Sequence, residues 1–135
     1  MPKPLPLFIA FLLFSLSSHA YSATDKAEVA ALEWLEAIDS GAYEQAWETS
    51  SPLLQIPLSS NMLERTISAA RRDFGAVQSR QRLRVIRETS MPGAPIGDYA
   101  VITFKTRFEN KPQIIETITP HLEGDAWKVS GYYVK

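Results

Sequence analysis

The chain has 135 residues, of which 45% are apolar and 21% charged, with a formal net charge of −1 and no cysteine. That length suits one hydrophobic core rather than two, and near-neutrality gives no reason to expect nucleic acid or another polyanion as a partner. The lack of thiols excludes disulfides and cysteine-borne lipid, so the fold must hold by packing alone.

The first element in chain order is leader-like. Met1-Pro2-Lys3-Pro4 is basic, an apolar stretch runs from Leu5 to about Leu16, and Ser18 and Ala20 put small residues where a signal peptidase inspects the chain. The apolar stretch falls short of the ~20 residues that span hydrocarbon. The expected organisation is a signal peptide over residues 1–20, cleaved after Ala20 (or after Ser22 or Ala23), and a single domain over 21–135. Such a product is periplasmic or secreted and has no stable membrane insertion.

A helix is predicted from Thr24-Asp25, with Val29, Leu32, Leu35 and Ile38 as an apolar stripe beside Ala31 and Trp34, stopped by Ser40-Gly41. A short second helix runs from Tyr43 to about Thr49. Residues 53–58, between Pro52 and Pro57, read as a loop or short edge strand. A third helix starts at Asn61, with Glu64 completing a capping box, carries Leu63, Ile67, Ala70 and Phe74, and closes at Gly75. The period then changes from helical to alternating, predicting strands over 76–88, 99–108, 113–122 and 127–134. Tight turns at Asn110-Lys111 and Gly124-Asp125 imply an antiparallel meander. The fold class is α+β, with N-terminal helices packed on one face of a four-stranded antiparallel sheet.

Charge is unevenly spread. Residues 21–64 hold eight acids and one base, whereas residues 65–87 hold seven arginines and one acid. The two segments either face each other or are solvated, the alternative being an anion-binding face. Arg80, Arg82 and Arg84 alternate along one strand and are expected on a wet face, where they guard against edge pairing.

The run Trp34-Leu35-Glu36-Ala37-Ile38-Asp39-Ser40-Gly41-Ala42-Tyr43-Glu44-Gln45-Ala46-Trp47 resembles the opening of a small exported bacterial family, domain of unknown function 4019. So do Pro92-Gly93-Ala94-Pro95 with Gly97 and Tyr99, Phe108-Glu109-Asn110-Lys111, Glu116-Thr117, and the ending Trp127-Lys128-Val129-Ser130-Gly131-Tyr132-Tyr133. Leu63 and Asp73-Phe74-Gly75 depart from that pattern. The Gly-x-Tyr-x-x-Ala-Trp spacing after the first helix is remotely similar to the nuclear transport factor two and ketosteroid isomerase superfamily. That likeness implies a curved, cone-shaped sheet that often leaves a pocket. Its members include enzymes, binders and adaptors, so the fold does not choose among them.

Beyond the leader, one histidine remains, His121. It lacks the companion ligands of a zinc site and any Gly-x-Ser-x-Gly elbow, and reads as an exposed strand-end residue. No cofactor-binding loop is present. Glu116, between Ile114 and Ile118, is the candidate catalytic residue. The two tight turns set Lys105 opposite it on one side and Tyr133 on the other. In an enclosed pocket Glu116 would be a base with a raised pKa and Tyr133 a donor. On a wet face Glu116 and Lys105 are a surface ion pair, which is the expected outcome. Trp34, Tyr43 and Lys105 are candidate ligand contacts, the aromatics also serving as core, and Trp127 is expected to be buried against the first helix. The favoured function is a non-catalytic binding or accessory module for a small apolar ligand or an envelope protein. The alternative is a small acid–base enzyme of isomerase or dehydratase type. Amino-terminal sequencing of the protein from a periplasmic or culture fraction should begin at Tyr21; soluble cytoplasmic protein retaining Met1 would overturn the export expectation.

Overall fold

A computed structural model describes residues 2–4 and 22–135, so the apolar stretch of the expected leader lies outside the described residues. Ser22 caps α1 (Ala23–Asp39) through a capping box, its hydroxyl accepting the Asp25 N–H at 3.2 Å while the Asp25 carboxylate accepts the Ser22 N–H at 3.3 Å. The helix buries Ala27, Ala31, Trp34, Leu35 and Ile38, but Val29 and Leu32 are exposed, so the buried stripe is rotated from the expected one. Trp34 accounts for the rotation. Its indole N–H donates to Ser50 Oγ at 2.9 Å and its ring lies 5.2 Å from that of Tyr132, which brings the small Ala27 and Ala31 to the inner side.

After α2 (Tyr43–Glu48), the expected loop or edge strand is instead a helical turn, α3 (Pro52–Gln55). Ser51 Oγ accepts the Leu53 N–H at 3.1 Å, and Pro52 stands in the first turn, where its missing N–H costs nothing. Ser59, rather than Asn61, caps α4 (Ser60–Ala70), which buries Leu63 and Ile67 and leaves Ala70 exposed.

The strands β1 (Val77–Glu88), β2 (Tyr99–Phe108), β3 (Ile114–Glu123) and β4 (Ala126–Val134) form an antiparallel meander in sequence order, as the alternation predicts. The helices cover one face of this curled sheet, an α+β fold, and Leu35, Ile38, Ile102, Phe104, Ile118 and Val129 meet in the core between them. Trp127 is only partly buried at the margin of that core, with the Arg87 guanidinium 4.9 Å from its ring centre.

Register departs from expectation at three points. The β2–β3 turn is centred one residue early, with Phe108 and Lys111 exchanging backbone hydrogen bonds while Glu109 and Asn110 donate to the carbonyls of Ala76 and Phe74, and an extra residue before Ile114, which pairs with Thr106, leaves the ladder slipped by one. Gly75, at φ 75°, makes this docking possible, since a Cβ there would lie 2.9 Å from Glu109 Cβ. On β3, Pro120 has no N–H to give the ladder, and β4 answers with a bulge at Ser130, whose hydroxyl donates to the Thr119 carbonyl at 2.7 Å. On β1, a bulge at Leu83 puts Arg80 and Arg82 on the helix-covered face with Phe104 and Thr106 and sends Arg84 to the other. The three arginines therefore do not share a wet face.

Phe104 is 1% exposed, so Phe104→Ala should lower stability by about 3–5 kcal/mol, whereas Trp127→Ala should cost clearly less. Denaturant melts of both variants check the order.

Candidate functional site

The corrected register brings Glu116 opposite Phe104 and Val134, not opposite Lys105 and Tyr133. Its side chain is on the helix-covered face with no exposure to water. Glu116 Oε1 accepts from Arg80 Nε at 2.7 Å and from the Thr106 hydroxyl. Oε2 accepts from Arg71 Nη2 at 2.9 Å and from the Tyr132 hydroxyl. Both guanidiniums also reach Asp39, the last residue of α1. Arg71 Nη1 donates to its Oδ1 at 2.7 Å and Arg80 Nη1 to its Oδ2 at 2.8 Å. Two cations and two carboxylates thus close a neutral cluster, and Arg71 also lies over the Phe108 ring at 5.2 Å.

Burial opposes ionisation of Glu116. The Arg80 hydrogen bond and charge, joined by the Thr106 and Tyr132 donors, outweigh it and hold the carboxyl below its ordinary range. Asp39 behaves likewise, with burial raising its pKa and Arg80 and Arg71 bringing it down further. Burial and the Glu116 charge push the Tyr132 phenol well above its usual value. A general base needs a pKa near the working pH and a lone pair open to substrate. Here the carboxylate is held ionised and its oxygens are engaged by protein donors, so the arrangement locks α1, α4 and all four strands together. The surface ion pair expected with Lys105 is not formed.

A second polar cluster joins α3 to the sheet. Ser51 donates to Glu123 Oε1, which His121 Nδ1 also meets at 2.7 Å. The carboxylate stands between serine and imidazole, whereas activating a serine needs the imidazole in the middle. His121 is not the exposed residue expected: its side chain is 12% exposed, stacked on Tyr99 at 4.5 Å and set against Gly97. Among the described residues, no three His, Cys, Asp or Glu side chains converge to hold a metal.

The open space lies elsewhere. More polar hollows of about 400 Å³ beside Trp34 and Trp127 and about 670 Å³ beside Tyr43 are larger, while two mainly apolar ones, about 310 and about 300 Å³, share Leu53 and the Ser130–Gly131–Tyr132 run of β4. Leu58, Leu63 and Ile67 wall the first, and Met91, Pro92 and Tyr133 the second. Gly131 borders this open space, since a Cβ there would meet nothing within 4 Å. β4 is an edge strand. Lys135 and Ile115 exchange backbone hydrogen bonds, so by antiparallel alternation the N–H and C=O of Tyr132 and Val134 point away from β3. Nearer the start of β4, the Ser51 N–H caps the Val129 carbonyl at 2.8 Å.

The expected site residues are therefore dispersed. Trp34 is 2% exposed and belongs to the core. Tyr43 is half-buried, its hydroxyl accepting from Ser68 Oγ at 3.3 Å beside a separate shallow hollow. Tyr133, 61% exposed, edges the β4 groove, and Lys105 lies on the uncovered face. The partners that sequence reasoning missed at Glu116 are Arg71, Arg80, Tyr132 and Thr106, together with Asp39, which holds the two arginines. One signal was present: Asp39 sits at the negative end of a helix, a position that calls for a nearby cation.

The class defined by this geometry is a small α+β domain whose helices cover one face of an antiparallel meander and whose core closes on a carboxylate–guanidinium cluster. A family model described as Protein of unknown function (DUF4019) matches residues 30–132, and the chain belongs to that family. No curated protein matches the chain significantly.

Glu116→Gln leaves Arg71 and Arg80 short of a counter-charge in a dry site and should cost about 3–5 kcal/mol at neutral pH. The depressed pKa values of Glu116 and Asp39 stabilise the fold fully above the unfolded carboxyl pKa of about 4, and that contribution is lost as pH falls through the folded values. Denaturant melts at neutral pH and at about pH 3 should show a smaller acid-induced loss in Glu116→Gln than in the parent.

Proposed function

We propose that the domain is an exported, non-catalytic binding module whose groove along β4 takes a small apolar ligand. The carrying observation is the pair of apolar hollows that meet at Leu53 and the Ser130 bulge. Their size lies at the lower end of the range of small-molecule sites. Two of the segments that carry the family resemblance come together there, through Pro92-Gly93-Ala94 and Ser130-Gly131-Tyr132-Tyr133. The outward backbone groups of Tyr132 supply a polar contact beside apolar walls, the usual pairing for orienting a small ligand. Export is supported by the basic start, apolar stretch and small-residue exit of the leader-like segment. The acid–base alternative is weakened because Glu116 is engaged on both oxygens.

A second reading is favoured by one observation. The unpaired edge at Tyr132 and Val134 could accept an extended segment of an envelope protein as an added strand. Native mass spectrometry of protein purified from the periplasm separates the two readings. The small-ligand reading expects a low-mass species that stays with the folded chain. Gly131→Leu, which fills open space without backbone strain, should abolish that species and leave the melt unchanged. A co-purifying polypeptide would favour strand addition instead, and full ligand retention by Gly131→Leu would overturn the groove assignment.

A further inference from the structure

The uncovered face of the sheet holds a polar notch separate from the groove. Lys105 and Arg107 alternate with Phe104, Thr106 and Phe108 on β2; those three are buried, so the two cations point to the opposite, open side. Arg107 is paired across the strands with Ser79 and Lys105 with Gln81. Directly paired residues on one face bring their side chains within about 5 Å at Cβ. These four side chains, with Pro112 and Gln113 on the β2–β3 connection, line a hollow of about 300 Å³.

Its charge is unbalanced. Arg71, Arg80, Arg82 and Arg87 each meet a carboxylate within 3 Å, whereas among the described residues neither Lys105 nor Arg107 is in a salt bridge. No acidic side chain lines the hollow. Two like charges sit two residues apart on one strand face, roughly 7 Å, and their repulsion is relieved when an anion lies between them. The neutral members add donors, one hydroxyl and two carboxamides.

We propose that this notch is a binding site for a doubly charged oxyanion, phosphate or a phosphate monoester. The two positive charges match such a dianion better than a carboxylate. The guanidinium fork fits a pair of phosphoryl oxygens, the ammonium supplies a point charge, and Ser79, Gln81 and Gln113 can serve the remaining oxygens. The cations are exposed, so binding is of moderate strength and weakens with salt.

The test follows backbone amide resonances of the full-length mature chain during titration with inorganic phosphate, with sodium chloride at matched ionic strength as control. Saturable shifts at residues 79, 81, 105, 107 and 113, absent with chloride, are expected. The double variant Lys105→Gln/Arg107→Gln should bind about tenfold more weakly or worse, with an unchanged melt because both side chains are exposed. Arg72→Gln, an exposed substitution outside the notch, should bind as the parent does. Co-sedimentation with phosphatidic acid in phosphatidylcholine vesicles distinguishes the source. Pelleting that the double variant loses assigns a lipid-borne phosphate, and solution binding without pelleting assigns a soluble one. Equal shifts with chloride, or undiminished phosphate binding by the double variant, would overturn the site, as would failure of both phosphate sources to bind.

Discussion

Glu116 is a carboxylate with no contact with water, and the position of nearly every other element follows from how its charge is balanced. Its oxygens take donors from α4, β1, β2 and β4, and the same two guanidiniums extend to the end of α1 through Asp39. Moving a carboxylate fully out of water, with two guanidiniums largely so, is expensive, and a well-packed apolar substitute is often equally stable. What the cluster adds is direction. Apolar contacts between a helix and a sheet tolerate sliding, whereas guanidinium–carboxylate hydrogen bonds require a set distance and angle. In a chain without cysteine, this fixes distant segments in one arrangement, as a cross-link would.

The groove is a consequence of that fixation. Arg71, at the end of α4, is held to Glu116 and Tyr132, so the helix is tethered at its last turn. Ser51 is held to Glu123 and to the Val129 carbonyl, which tethers the start of α3 to β4. Between those tethers the bulge at Ser130 lifts β4 out of regular pairing, and Gly131 contributes no side chain to close the space. Hydrogen bonds at either end hold the walls apart, so the hollow does not depend on a ligand to exist.

Much of this was legible in the sequence. The strand bounds and meander order follow from a period-two pattern broken by Gly and Pro, and short connections leave few alternatives. What was not legible is register. A turn at Asn110-Lys111 is the natural reading of those residues, yet the chain turns one residue earlier because Phe74 and Ala76 accept from the turn, a contact between segments far apart in sequence. Pro120 announces a break in the ladder but not which strand absorbs it. Each slip is one residue, and in a sheet one residue exchanges the partners of every side chain beyond it. Glu116 was thus identified as the unusual acid while its neighbours were misassigned, Tyr133 for Tyr132 and Lys105 for Arg80. The α3 turn was missed for a different reason: Pro52 reads as a breaker until Ser51 is seen as a cap, where proline is favoured.

The uneven spread of charge along the chain is resolved by the same geometry. The acid-rich first segment and the arginine-rich second segment meet where α1 lies on the sheet: Asp39 with Arg71 and Arg80, and, at the exposed margin, Glu28 with Arg82 at 2.8 Å. An arginine count therefore overstates the basic surface, because the strand with the most arginines spends two of them inward. The charge left to act on other molecules is what remains once these internal pairs are set aside. On the open sheet face that remainder includes Arg84 on β1 and, outside the stretch that composition singles out, Lys105 and Arg107 on β2. Local charge density in the sequence reports what the fold needs for itself, and a surface available to partners is found by subtraction.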